Sequence, residues 1–212
     1  MIWLEVLVEG VSDTPTVKEV LERKFLLIEG EHFRVHPHRG KGKLPVNPLR
    51  RPDPMHQGLL DQPPAKLAGY GKSLPAHGVV LLVVDVDKTP CVELLKDLNV
   101  MLNALASKPK TLFRLAIEET ESWFLADVSA LEKAYPGKVK KRILKGLVPD
   151  AIHGASESLA LALGYDLKLA GRGVKSEWAK KIAPHLDLDK PCSPSLKKFI
   201  EGVGRLIQES KA

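Results

Sequence analysis

Cysteine is nearly missing from this chain: only Cys91 and Cys192 occur, far apart and without C-x-x-C spacing. That excludes a zinc knuckle and a disulfide scaffold, and it suits a reducing, cytoplasmic setting. Aromatic residues are scarce as well, at 5%, and too scattered for a stacking platform on single-stranded nucleic acid. Trp3, Trp123 and Trp178 therefore read as packing residues. No apolar run reaches the length that spans a bilayer, so no membrane partner is expected. The opening MIWLEVLVEG carries Glu5 and Glu9 and lacks a basic leader, which marks a first strand and not a signal peptide. There is no internal repeat, no low-complexity tract and no G-x-x-x-x-G-K-[ST] phosphate loop.

What is present is an ordinary globular composition. The 212 residues are 44% hydrophobic and 27% charged, enough for one substantial core with an appendage. The formal net charge of +6 tilts towards a polyanionic partner, DNA or RNA.

Hydrophobic patterning predicts an α/β fold. Residues 2–8 (IWLEVLV) read as an inner strand. Ser12 to Phe25 reads as a helix, with Ser12, Asp13 and Thr14 as possible caps and Pro15 in the first turn. A short strand is expected at His32–His36, then a long, exposed basic loop from Pro37 to Pro64. Val79–Val84 (VVLLVV) is continuously apolar, as a central parallel strand covered on both faces must be. Val92 to Ala106 repeats leucines at helical spacing, Leu112–Ile117 forms a strand, and Glu118–Asp127 opens a helix. This alternation over residues 1–127 predicts a mostly parallel sheet flanked by helices. Beyond Asp127 only helical patterns recur, near 129–145, 155–163, 174–183 and 194–209, so residues 128–212 are expected to form a C-terminal helical extension.

Three carboxylates stand where strands end. Glu9 closes the first strand, and Asp85 and Asp87 close VVLLVV. In open α/β sheets the functional crevice lies beyond the carboxyl ends of the strands. Residues two apart on an extended chain share a side, so Asp85 and Asp87 can address one ion while Val86 packs. Mg²⁺ or Mn²⁺ suits such a set, because hard cations take a few carboxylates together with substrate phosphate oxygens. The competing reading is that these acids cap helices or pair with Lys88.

The stretch VLVEGVSDTPTVKEVL followed by LLVVDVDKT resembles the Toprim pattern of topoisomerases, primases and overcoming-lysogenization-defect nucleases, which pair a strand-one Glu with a later D-x-D. The resemblance extends to a stand-alone Toprim-like family of unknown function, often encoded beside ATPases in defence clusters. That family's E-x-W-x-L-A-D stretch is similar to Glu121–Asp127, and its tail is similar to Lys175 through Phe199, with Leu196 in place of an aromatic. The resemblance implies that Glu9, Asp85 and Asp87 hold metal and act in catalysis. It also implies a role for Glu121 and a second acid at Asp13, whose alternative duty is helix N-capping. A helix starting near 118 would put Glu118 and Glu121 on one face; both equally suit a positive helix end.

Basic residues supply the other half of the expected site. Arg39, Lys41 and Lys43, set among flexible glycines, are candidates for a nucleic-acid backbone, as are Arg172 and Lys175 in a second Gly-rich segment. His36 and His38 could ligate a metal or serve simply as polar loop residues, since no cysteine lies near them. The resulting expectation is Mg²⁺- or Mn²⁺-dependent phosphodiester cleavage, with Lys88 or a loop cation neutralising charge and a partner ATPase nearby. Two alternatives stand beside it. One is a haloacid-dehalogenase-like phosphatase with Asp85 as nucleophile, although its later acid pair is represented only by Asp187 and Asp189 between helices. The other is a non-catalytic module that binds nucleic acid or a partner protein.

Overall fold

The computed structural model describes residues 2–49, 52–86, 89–166 and 172–211. Its centre is a four-stranded, fully parallel sheet of β1 (Trp3–Val8), β2 (Phe33–Pro37), β3 (Gly78–Asp85) and β4 (Lys110–Ala116), in the order β2-β1-β3-β4. The expected strands are all found within two residues of their predicted ends. Parallel neighbours require crossovers, supplied by α1 (Asp13–Phe25), α2 (Pro63–Ser73) and α3 (Cys91–Ala104).

The reason β3 lies inside is visible in its side chains. Successive residues of a strand face opposite sides. Val79, Leu81 and Val83 join a core under α1 and the C-terminal helices, while Val80, Leu82 and Val84 join a second core under α2 and α3. Both faces must therefore be apolar, and each fully buried aliphatic contributes roughly 1.5–3 kcal/mol relative to exposure.

The first core continues through α4 (Glu121–Ala126), α5 (Val128–Ala134), α6 (Lys141–Leu144), α7 (Ala155–Leu163), α8 (Arg172–Ile182) and α9 (Pro194–Glu209). The last of these is long because its signals agree. Ser193 caps it by accepting the Leu196 amide hydrogen at 3.2 Å, Pro194 opens it, and Leu196, Phe199, Ile200, Val203 and Leu206 form one buried stripe. Trp123 and Trp178 are buried, as packing residues should be, and the Trp123 indole N–H donates to Ser195 Oγ at 2.8 Å.

Two expectations are corrected. The Pro37–Pro64 segment is not a uniformly exposed loop. Leu59 and Leu60 are buried under the sheet, and their amides donate to the carbonyls of Gly40 and Lys41 at 2.7 and 2.6 Å. Its turn is locked where Gly42, at φ +68°, meets Gly58 so closely that a Cβ on Gly58 would stand 2.5 Å from the Gly42 backbone. The second correction concerns Glu118. Helix α4 starts at Glu121, and Glu118 is left-handed at φ +62°, so the two acids do not share a helix face.

Candidate active site

The strand order fixes where a site can form. From β1 the chain crosses one way to β2, then returns past β1 to β3 on its other side. The gap between the carboxyl ends of β1 and β3 is therefore the topological switch point, where helix connections diverge and leave a crevice. Glu9 follows β1 and Asp85 ends β3, so the two strand-end acids flank that gap. Asp85 shares the parity of Val79, Leu81 and Val83, which directs it to the side of the sheet carrying α1 and α4.

Four further groups meet Asp85 there. Asp13, the first residue of α1, is buried; one carboxylate oxygen accepts the Gly10 amide hydrogen at 2.8 Å and the other accepts the Thr120 hydroxyl at 2.9 Å. This is not the N-cap expected for Asp13. Instead of capping forward it reaches back, tying the β1–α1 turn to the start of α4. Glu119 and Glu121 come from the β4–α4 junction, and Lys175 arrives from α8. The Lys175 ammonium lies 2.7 Å from Glu119 Oε1 and 3.7 Å from Glu121 Oε1. The second Glu119 oxygen accepts the Ser156 amide hydrogen at 3.1 Å, at the start of α7.

The electrostatics follow from this crowding. Burial, then the negative charges of Asp13, Glu9, Glu121 and Glu119, hold the Asp85 carboxyl well above the usual carboxylate range. Glu121 is only 3% exposed. Burial pushes its carboxyl up to about 7 even though Lys175 pulls the other way. Burial also raises Asp13, against its hydrogen bonds from Thr120 and Gly10. For Lys175, burial opposes the charge, but Glu121 and Glu119 outweigh it and keep the ammonium firmly protonated. The edge thus holds more negative charge than it can keep ionised.

Cations border the acids from a second direction. The Lys41 ammonium donates to the Val86 carbonyl at 2.8 Å, so the basic loop lies against the end of β3. The loop is also anchored to β1: the Gly40 amide donates to the Glu9 carbonyl at 3.0 Å, and the His38 amide to the Val8 carbonyl at 3.1 Å.

The structure thus brings Glu9, Asp13, Asp85 and Glu121 to one edge, with Lys41 at its rim. Asp87 and Lys88 lie outside the described residues, as does the side chain of Arg172. Lys175, expected as a phosphate contact, has its ammonium directed at Glu119 and Glu121. Arg39 and Lys43 lie on the basic loop, both exposed. His36 and His38 part company. His36 Nε2 meets Glu5 Oε2 at 2.5 Å, whereas His38 Nδ1 bonds to the Val8 carbonyl at 2.9 Å. Glu118 leaves the site altogether, its carboxylate accepting the amides of Gly154 and Ala155 at the start of α7. Asp187 and Asp189 are remote. Asp189 pairs with Lys24 at 2.6 Å, in the last turn of α1, roughly 16 Å along that helix from Asp13 at 1.5 Å per residue. Among the described residues, no three His, Cys, Asp or Glu side chains are grouped as a ready cation cage.

Glu119 and Thr120 were not expected from the sequence. The available signal was their place directly after β4, in the same crevice that singled out Glu9 and Asp85.

A family model described as a domain of unknown function (DUF4276) matches residues 8–204, nearly the whole chain. Neither the curated proteins nor the solved structures include a match.

Proposed function

The chain belongs to the DUF4276 family, and we propose that it is a divalent-metal-dependent nuclease of the Toprim type, cleaving nucleic-acid phosphodiester bonds. The observation that carries this reading is the convergence of Glu9, Asp13, Asp85, Glu119 and Glu121 at the switch point, so crowded that Asp85 and Glu121 are driven towards the protonated form. Structural carboxylates are normally paired or solvated, and buried acids with raised pKa values cluster at functional sites.

The chemistry of the donors suits a hard cation, although the described acids do not by themselves form a ready cage. All candidate ligands are carboxylate oxygens, the preference of Mg²⁺ and Mn²⁺, and no sulfur ligand lies among them. Glu9, Asp85 and Asp87 are the residues that would hold the ion. When bound, it supplies polarisation of the phosphoryl oxygens and a lowered pKa for an attacking water. Asp13 is better suited to positioning, since both its oxygens already accept hydrogen bonds and hold the Glu9–Gly10 turn in place. Glu121, with its carboxyl at about 7, exchanges protons near neutrality and is matched to general-base work on the water. Lys41, at the rim, offsets charge on the non-bridging phosphate oxygens.

The test is release of fragments from DNA and RNA with Mg²⁺ or Mn²⁺ present, comparing wild type with Asp85→Asn. Cleavage by wild type that falls to background in the variant supports the reading; equal traces from both proteins overturn it.

A further inference from the structure

Beside the acidic edge, at the end of β2, lies a hollow of about 380 Å³ walled by His38, Arg39, Gln57, Gln62 and Lys66 together with two prolines. None of its described lining residues is acidic. Among the described residues, neither Lys66 nor Arg39 has a carboxylate partner in an ion pair. Its hydrogen bonds dictate the state of its histidine. His38 Nδ1 faces the Val8 carbonyl at 2.9 Å, and a carbonyl only accepts, so Nδ1 carries the hydrogen. Nε2 lies 2.7 Å from the Lys66 ammonium, which only donates, so Nε2 is the acceptor and the ring is neutral. One of the three Lys66 donors is used in this way, which leaves two. Burial lowers both His38 and Lys66 from their ordinary values, and in His38 the Lys66 charge adds to that effect. Positive charge is therefore held here without its counterpart.

We propose that this hollow is a phosphate-binding subsite, in which Lys66 and Arg39 take the anionic oxygens and His38 fixes the Lys66 ammonium in place. The first turn of α2 adds little, because Pro63 and Pro64 have no amide hydrogens. The walls are held by amide side chains: Gln57 donates to the Pro54 carbonyl at 3.1 Å and Gln62 to the His56 carbonyl at 2.6 Å. Its neighbour along the chain is the acidic edge, since Gly40, two residues after His38, is bonded to the Glu9 carbonyl. Identification of the ligand as a nucleic-acid phosphate rests on the nuclease reading, and the subsite would hold a phosphate neighbouring the one that is cut.

The experiment follows the His38 ring resonances by NMR in EDTA, with the full chain and inorganic phosphate as probe. Saturable shifts and a raised His38 pKa are expected in wild type and equally in Asp85→Asn. Lys66→Met should weaken binding by about tenfold or more, as for loss of a charge-assisted hydrogen bond, and Lys66→Arg should restore most of it. A tetranucleotide with a 5′-phosphate is then compared with its 5′-hydroxyl counterpart. Binding of the first alone assigns the subsite to a chain end; binding of both assigns it to internal diesters. His38 resonances unmoved by phosphate and both oligonucleotides overturn the proposal, even in a preparation that cleaves. Phosphate shifts in a preparation that does not cleave retain the subsite and reject the nuclease.

Discussion

Replacement of Glu121 by glutamine should stabilise the metal-free protein, and only above a definable pH. In the folded chain the Glu121 carboxyl is raised from its ordinary 4.5 to about 7. An acid whose folded pKa exceeds its unfolded value holds its proton more tightly when folded, so its ionisation opposes folding. Below about 4.5 the group is neutral in both states and the effect is nil. The penalty grows as pH rises from 4.5 to 7, because the unfolded chain ionises freely while the folded one resists. Above 7 it is constant. At ~1.36 kcal/mol per pH unit the full penalty is about 3 kcal/mol. Glutamine keeps the shape and removes the charge, and the opposing pull of Lys175 is already contained in the raised value, so the gain should be about 3 kcal/mol.

For a chain of this size that gain corresponds to a rise in Tm of roughly 6–12 °C. Thermal unfolding of wild type and Glu121→Gln in EDTA, from pH 4.5 to 8.5, is the measurement. The two curves should coincide at the acid end and separate through neutrality. A variant less stable than wild type at pH 8, or a difference independent of pH, would refute the charge-crowding account. Glu121 would then be an ordinary paired acid, without the proton affinity that general-base work requires.

Asp85→Asn should likewise raise metal-free stability at pH 8, and should also abolish any increase in Tm that wild type gains from Mg²⁺ or Mn²⁺; a retained metal response removes Asp85 from the ligand set. Lys175→Met takes away the ammonium that faces Glu119 and Glu121, and should lower stability at pH 8 by about 1–3 kcal/mol in urea unfolding. The same variant should push the Glu121 carboxyl above 7, read by carbon-13 NMR; an unmoved titration contradicts the assigned partner. Gly71→Ala should cost about 1–3 kcal/mol through overpacking, because a Cβ there would stand 2.6 Å from the Ser107 backbone. It should leave the metal response intact, since the strain lies between α2 and the turn before β4.

The sheet was readable because each strand carries its own evidence. β3 is an unbroken aliphatic run, and only a strand with both faces covered tolerates one. Glu9 and Asp85 were readable for a related reason, since polar residues that abruptly end such runs mark the sheet's edge. Helix α2 is not legible in the sequence because Pro63, Pro64, Gly69 and Gly71 are all loop signals locally. Here the prolines occupy the first turn, where no amide hydrogen is needed, and Gly71 permits close approach to the Ser107 backbone. The place of Glu118 is not legible because it is itself left-handed between β4 and α4, which delays the helix to Glu121 in a way that hydrophobic spacing does not register. The contacts that complete the site lie beyond any local pattern. Thr120 meets Asp13 across 107 positions, and Lys175 meets Glu119 across 56. Lys175 looked like one more cation in a basic, Gly-rich stretch; only the packing of α8 against α1 turns it towards the acids.

The whole chain and its candidate site carry opposite charge, and that opposition bears on mechanism. A net charge of +6 would favour the approach of a polyanion from a distance, where individual charges are screened into a sum. At the switch point the sum no longer applies: the acids gathered around Asp85 outnumber the one ammonium paired with them, that of Lys175, and an approaching phosphate would meet repulsion at short range. The basic hollow at the end of β2, fixed to β1 through His38 and Gly40, would on the proposed reading let one phosphate bind beside that edge without entering it. On the nuclease reading, a cation held by Glu9, Asp85 and Asp87 would offset that repulsion and supply the polarisation of the phosphoryl group. Crowded carboxylates oppose folding of the metal-free protein, and on the same reading their crowding would give a divalent cation its affinity. Neutralising the acids should therefore make the protein more stable and less able to recruit metal, a coupling that a purely structural cluster would not show.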